Sequence, residues 1–354
     1  MIPLTTLTTG NGSHRIPVST AVAPATVEGR TANRLMVLLR APGCAYRRTG
    51  CTYCGFDRLT TLGEPVSADD LAAQVEAALG RHDCTRQDIR ELDLYNSGNF
   101  FNEAEIPTSA RALIAMRCAR ETNLRRVLVD SRPEFISRER VTAWREAAHW
   151  PSHVRLEVGI GFDAFDDDIR MTGLRKTFTR EDFERAVRVI GEAGLGLLSY
   201  AMLKPMPMPD AEALIDVQRA AGYVRDVATQ YNVPVRIALE PAFVVPGTQL
   251  SIDYLEGRFT PPSLWLVRNA VRSISGGGEV NIGLWDEDLE PLAKSASCPS
   301  CQDRLIEALK KFNATQEIRS LDIAPCRCAS GSDVSSNGTW QFDESKSKIK
   351  IQAR

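Results

Sequence analysis

The chain of 354 residues has no apolar stretch approaching the ~18 residues that a membrane-crossing helix needs. It also lacks a surplus of either charge: 43 Lys and Arg stand against 45 Asp and Glu, a formal net charge of −2. No long run of one sign occurs, so a general affinity for nucleic acid is not encoded. The opening residues have neither the basic flank nor the apolar core of a secretion signal. These absences lead to the expectation of a cytoplasmic protein without membrane contact. What remains is ordinary: 43% hydrophobic and 25% charged residues, enough for a substantial core. The length allows one large domain with an appendage, or two domains.

Cysteine, by contrast, is plentiful. Of the nine, Cys84 and Cys118 stand alone, and the others form two groups: Cys44, Cys51 and Cys54, then Cys298, Cys301, Cys326 and Cys328. In a reducing compartment clustered thiols more often bind metal than pair as disulfides.

Hydrophobic periodicity divides the chain. Residues 1–32, rich in Thr, Pro and Ala, read as an extended lead-in. Strands are expected at 34–40, 89–96, 125–131, 154–162, 195–205 and 235–241, alternating with helices at 67–79, 107–121, 138–148, 179–193, 210–229 and 262–274. Thr179 and Asp182 make a capping box, and Gly194 is placed to end that helix in a left-handed turn. Gly194-Leu-Gly196 precedes a strand and so is no dinucleotide loop. Six strand–helix steps predict a parallel sheet, a partial (β/α)6 barrel over 33–275. A C-terminal extension with a four-cysteine metal site follows at 276–328, then a Ser-rich tail at 329–354, expected to be partly disordered with Trp340 packed against the metal hairpin. In such sheets functional groups collect after the C-terminal ends of strands.

The first cysteine group follows the first of these strands and reads Ala41-Pro-Gly-Cys44-Ala-Tyr-Arg-Arg-Thr-Gly-Cys51-Thr-Tyr-Cys54-Gly-Phe56. By itself it admits a three-thiolate zinc site or chance burial. Three thiolates also suit a four-iron cluster with one iron left open. Cys51-Thr-Tyr-Cys54, with an aromatic residue before the last cysteine, resembles the radical S-adenosylmethionine (SAM) superfamily. That resemblance implies a [4Fe-4S] cluster on Cys44, Cys51 and Cys54, SAM on the open iron, Tyr53 near the adenine, and a 5′-deoxyadenosyl radical. Asn96-Ser97-Gly98-Asn99 closes the second strand where the superfamily binds the SAM amino group, and it lacks the usual glutamate. Asp130-Ser131-Arg132-Pro-Glu134 resembles a turn of elongator-type members. Glu157-Val-Gly-Ile-Gly161 resembles their Glu-x-Gly segment, making Glu157 a candidate for SAM contacts. Lys204 and Glu240 end the fifth and sixth strands. They are candidates for substrate binding or proton transfer, or for a mutual ion pair.

Cys298-Pro-Ser-Cys301 and Cys326-Arg-Cys328 bracket a helix at 303–312. Four thiolates suit structural zinc or a second [4Fe-4S] cluster equally. Together with Phe312-Asn-Ala-Thr-Gln316 this tail resembles the radical SAM subunit of archaeosine synthase and its bacterial relatives. The archaeal enzyme cleaves a lysine-derived adduct on a tRNA base. The reading that follows is a radical SAM enzyme abstracting hydrogen from a small-molecule or nucleoside-like substrate, as a C–N or C–C lyase or in sulfur insertion. An external electron donor such as flavodoxin or ferredoxin is implied. The alternatives are an RNA-modifying subunit reaching nucleic acid only through a partner, and a non-catalytic zinc scaffold.

Overall fold

The computed structural model describes residues 14–46, 50–284 and 289–330; Trp340 and nearly all of the tail lie outside the described residues. One sheet of eight strands runs in sequence order. β1 (Ser19–Val27) and β2 (Arg30–Leu38) form an antiparallel hairpin. Glu28 and Gly29 turn it, both at positive φ (52° and 74°), as a two-residue primed turn requires. The lead-in thus contributes an edge strand, hidden in the sequence because its small residues and Pro24 give no clean alternation.

From β2 the strands are parallel: β3 (Ile89–Tyr95), β4 (Arg126–Asp130), β5 (Arg155–Asp163), β6 (Gly196–Leu203), β7 (Val235–Pro241) and a short β8 (Val280–Ile282). Between them lie α1 (Ala68–Arg81), α2 (Thr108–Cys118), α3 (Arg138–Glu146), α4 (Arg180–Glu192), α5 (Asp210–Gln230), α6 (Gln249–Leu255) and α7 (Leu264–Ile274). The expected partial (β/α)6 barrel is present as a curled half-barrel, with β1, α6 and β8 added. On α4 the capping box forms, Phe183, Ala186, Val187 and Ile190 are buried, and Gly194 takes φ +69°. Burying side chains of this kind stabilises by roughly 1.5–3 kcal/mol for each large one.

The half-barrel leaves a seam between its edge strands, and α8 (Gln302–Thr315) covers it. Thr26 and Thr31 donate to the Ala314 carbonyl (3.1 and 3.0 Å). On the other side Asn313 exchanges two hydrogen bonds with Ile282 (2.8 and 2.9 Å), and Gln316 two with Val280 (both 2.9 Å). The two amides complete the backbone of β8 as a further strand would. That is what Asn313 and Gln316 of the Phe-Asn-Ala-Thr-Gln segment do.

Alternate residues of each strand face inwards, in layers. The lowest layer is ionic and buried. Arg236 pairs with Glu91 (2.6 Å) and Glu157 (2.7 Å), while Arg126 pairs with Glu91 (3.0 Å), Glu157 (3.3 Å) and Glu279 (3.0 Å). Burial would raise the Glu91 pKa, but Arg236, Arg126 and Arg34 outweigh it and hold it at about 2. Above lies an apolar layer of Leu128, Leu198 and Ala238. Glu157 therefore belongs to the floor, beneath that layer, and does not border the cavity at the mouth. Its expected contact with SAM is corrected accordingly: both of its oxygens are taken by guanidinium groups. Glu157→Ala should lower stability by about 3 kcal/mol, since it strips a partner from two buried cations. An unfolding midpoint in urea equal to that of the wild type would contradict this role.

Candidate active site

The C-terminal ends of the parallel strands open onto a cavity of 280 Å³. Cys44, Cys51 and Cys54 line one side of it, and with Tyr46, Asp57 and Ser97 they also ring a smaller pocket. All three thiols are free and half-buried. The loop that carries them begins at Gly43, at φ +83°, where a Cβ would press on Thr60 at 2.6 Å. Only glycine fits.

A carboxylate that was not anticipated seats this loop. Glu105, 2% exposed, accepts hydrogen bonds from Ala45 N–H (3.1 Å), the Asn99 amide (2.8 Å), the Asn102 amide (2.8 Å) and the Asn99 backbone N–H. Burial raises its pKa, against the lowering effect of these bonds. A carboxylate six residues beyond Asn99 thus braces the turn after β3 from behind, and it does not border the cavity. Asn99 in turn points its amide at the Cys44 Sγ (3.6 Å), and Cys44 N–H donates to the Ser97 carbonyl (3.1 Å). Gly98 is glycine because a Cβ there would overlap the Glu105 carboxylate.

Arg132, after β4, ties the other wall together. It pairs with Glu134 (2.6 Å), donates to Thr177 Oγ1 (2.8 Å) and to the Lys176 carbonyl, and lies 4.0 Å from the Tyr46 ring centroid. Its backbone N–H donates to Asn99 Oδ1 (3.0 Å). Glu134 sits behind Arg132 and does not border the cavity. Tyr53 does, and its hydroxyl donates to Asp163 (2.6 Å), which also pairs with Lys176 (2.5 Å). Burial first, then the Asp163 charge, hold the Tyr53 pKa well above its ordinary value. Gly159 and Gly161 border the cavity because side chains there would overlap Asp130 and crowd Lys176.

Glu240 borders the cavity, and burial pushes it up to about 7 against the pull of Arg34. Lys204 does not. It takes φ +58°, pairs with Asp210 (2.7 Å) and lies 6.0 Å from the Phe259 ring centroid, so the expected pairing with Glu240 is absent. Ser97, Asp163, Arg175 and Thr177 also take positive φ without being glycine, a concentration of backbone strain typical of functional loops.

The residues fit the groups that the resemblance implies. Three thiols share one pocket, and the buried Ser97 Oγ, Ser131 Oγ and Asn96 Oδ1 beside it have no hydrogen-bond partner, which in a native fold points to a polar ligand. Outside that pocket, the sulfurs of Cys298, Cys301, Cys326 and Cys328 converge within 4.8 Å of one another.

A curled parallel half-barrel with three thiols at the end of its first parallel strand and a cavity beside them is the arrangement that the radical SAM resemblance implies. Sequence comparison finds the following relatives. The chain is 27% identical over 305 residues to archaeosine synthase subunit beta of Methanosarcina acetivorans, covering 85% of this chain and 84% of that protein. It is 22% identical over 320 residues to archaeosine synthase subunit beta of Thermococcus kodakarensis, covering 85% and 91%. An uncharacterised protein of Methanocaldococcus jannaschii is 25% identical over 301 residues, covering 83% and 79%. No protein-family model matches the chain. Among solved structures, archaeal Methanocaldococcus infernus Elp3 superposes with a TM-score of 0.48 at 14% identity, over 68% of this chain and 57% of that one.

Because Glu105 positions both the cysteine loop and Asn99, Glu105→Ala should weaken cluster retention about 10–100-fold, the usual cost of removing a group that orients metal ligands. Iron per chain after anaerobic chelator challenge measures this; retention equal to the wild type would contradict it.

Proposed function

We propose that this chain cleaves SAM reductively at a cluster held by Cys44, Cys51 and Cys54, and abstracts hydrogen from a small-molecule or nucleoside-like substrate in the adjoining cavity. The observation that carries the reading is the pocket ringed by three free thiols and opening into a cavity with unpartnered hydroxyls. When bound, cluster and SAM supply a 5′-deoxyadenosyl radical. The chain's own residues would then bind, orient and shield. Ser97, Asn96 and Ser131 offer polar contacts to SAM, Tyr53 a face for its adenine, and Glu105 and Arg132 hold the two walls in register. Met36, Leu198, Met202 and Ala238 line the cavity with apolar surface and keep water from a reactive intermediate. The electron would come from a flavodoxin or ferredoxin in a reducing compartment such as the cytoplasm.

For the C-terminal site the sulfur spacing favours zinc. Cys298 lies 3.3, 3.5 and 3.4 Å from the sulfurs of Cys301, Cys326 and Cys328. Tetrahedral zinc with bonds of about 2.3 Å sets its thiolates roughly 3.8 Å apart. A four-iron cube, with an iron between its centre and each thiolate, spreads them to roughly 6 Å. A closed zinc site fastens α8 across the seam and donates no sulfur, which favours a lyase over sulfur insertion. The name "subunit beta" borne by two relatives supports a second reading, in which a partner subunit brings a nucleic-acid substrate to the same cavity. Filter binding of tRNA by the isolated chain tests it, with no retention expected unless the partner is present.

Two measurements test the main reading. Cys44→Ala, Cys51→Ala and Cys54→Ala should each abolish formation of 5′-deoxyadenosine by reduced protein; undiminished product from any of them would end it. Anaerobically purified wild type should contain about four irons and about one zinc per chain. About eight irons without zinc would overturn the zinc assignment.

A further inference from the structure

The charges around the cavity do not balance locally. Among the described residues three cations border it, and each is already engaged: Arg34 with Asp93 (3.5 Å), Arg132 with Glu134 (2.6 Å) and Lys176 with Asp163 (2.5 Å). Among the described residues three carboxyl groups also border it, Asp130, Asp163 and Glu240. Asp163 is accounted for. Asp130, at the end of β4, accepts from the Tyr200 hydroxyl on both oxygens (2.9 and 3.0 Å) and has no cation within ion-pair distance among the described residues. The carboxyl of Glu240, at the end of β7, has neither an ion pair nor a hydrogen bond among the described residues.

Both carboxyls enter the cavity from the inward face of their strands, above the apolar layer of Leu128, Leu198 and Ala238, with Tyr95 and Tyr200 packed on that layer. Burial raises each to about 7, and the charge of Asp130 contributes to raising Glu240. Two carboxyls whose charges oppose each other, in a poorly solvated site with no ion pair of their own among the described residues, are costly to keep ionised, even with Arg34 pulling on Glu240. A positive group placed between them would relieve both desolvation and repulsion. Aromatic faces beside it would add cation–π attraction. The space for the pair is built in. A side chain at position 159 would overlap the Asp130 carboxylate, and one at position 283 the Glu240 carboxylate. The unpartnered Ser97, Asn96 and Ser131 groups assigned to SAM lie with the cysteine loop, whereas Glu240 belongs to β7, four strands along the sheet from β3; Asp130, on β4 next to Ser131, stands where the two parts of the cavity meet.

We propose that the inner part of the cavity is the substrate subsite, and that Asp130 and Glu240 together bind a basic nitrogen of the substrate, a primary ammonium, amidinium or guanidinium. The proposal rests on the reading of the outer part as the SAM site. It narrows the substrate class to molecules carrying such a group on an apolar or aromatic stem short enough to fit the part of the 280 Å³ cavity that SAM leaves open.

Saturation-transfer NMR on the iron-loaded full chain tests this without reductant, with and without SAM. The probes are n-butylamine and n-butylguanidinium, against the neutral and anionic analogues n-butanol and valerate. The two cations are expected to bind at least tenfold more tightly than the neutral and anionic probes, and Asp130→Asn or Glu240→Gln to abolish that preference. Valerate or butanol binding as well as the cations would overturn the proposal, as would cation binding unchanged in both variants. Should a variant fail to fold, the wild-type probe series decides the question alone. SAM uptake, measured separately by equilibrium dialysis, keeps the two readings apart. Wild type that takes up no SAM contradicts the SAM site, whereas uptake of SAM without preference for cations contradicts only the basic-group subsite.

Discussion

The buried carboxylate of Glu105 is the interaction on which the arrangement of the mouth depends. It accepts from Ala45 in the cysteine loop and from Asn99 in the turn after β3, so two segments distant in sequence share one acceptor. Asn99 passes the constraint on, with its amide towards Cys44 and its carbonyl oxygen accepting from Arg132 N–H. Arg132 then reaches Thr177 and the Tyr46 ring. A buried acceptor with several donors is costly to vacate. The loop bearing the three thiols is held by this chain of hydrogen bonds, although half-buried itself.

Below the mouth the barrel separates stability from chemistry by layers. The ionic floor of Glu91, Arg126, Glu157, Arg236 and Glu279 is paired throughout, and the apolar layer above it shields the floor from the cavity. Asp93, in register with Leu128, is the exception within that layer and pairs with Arg34 (3.5 Å), whereas Asp130 and Glu240 lie above it without an ion pair among the described residues. The sheet is sealed sideways by a different device: Asn313 and Gln316 bond β8 while Ala314 accepts from the threonines of the first hairpin. The four clustered thiols bracket the same helix, so a metal there would lock the closure of the seam.

The alternation of strands and helices was legible from residue pattern alone, because long amphipathic helices such as α4 and near-continuous apolar strands such as β6 carry strong periodicity. So were the two cysteine groups. The hairpin strand β1 and the three-residue β8 were not: one lacks alternation, and the other is too short to show any. Glu157 shows where local resemblance fails. Its position on the strand decides its layer, and three or four residues towards the N-terminus turn a mouth residue into a floor residue. Lys204 fails for a neighbouring reason, since its left-handed backbone turns the side chain away to Asp210. Glu105, Lys176 and Asp163 could not be found from spacing, because each acts through partners brought near only by the folded loops.

The central claim is that Cys44, Cys51 and Cys54 hold a cluster with one iron open to SAM. Electron paramagnetic resonance of the chemically reduced protein, recorded with and without SAM, tests it most directly. Binding of SAM to the open iron changes the electronic environment of the cluster, so the account predicts a four-iron cluster signal whose shape shifts when SAM is added. A cluster signal identical in the two samples, or reduced protein without any four-iron signal, would contradict it.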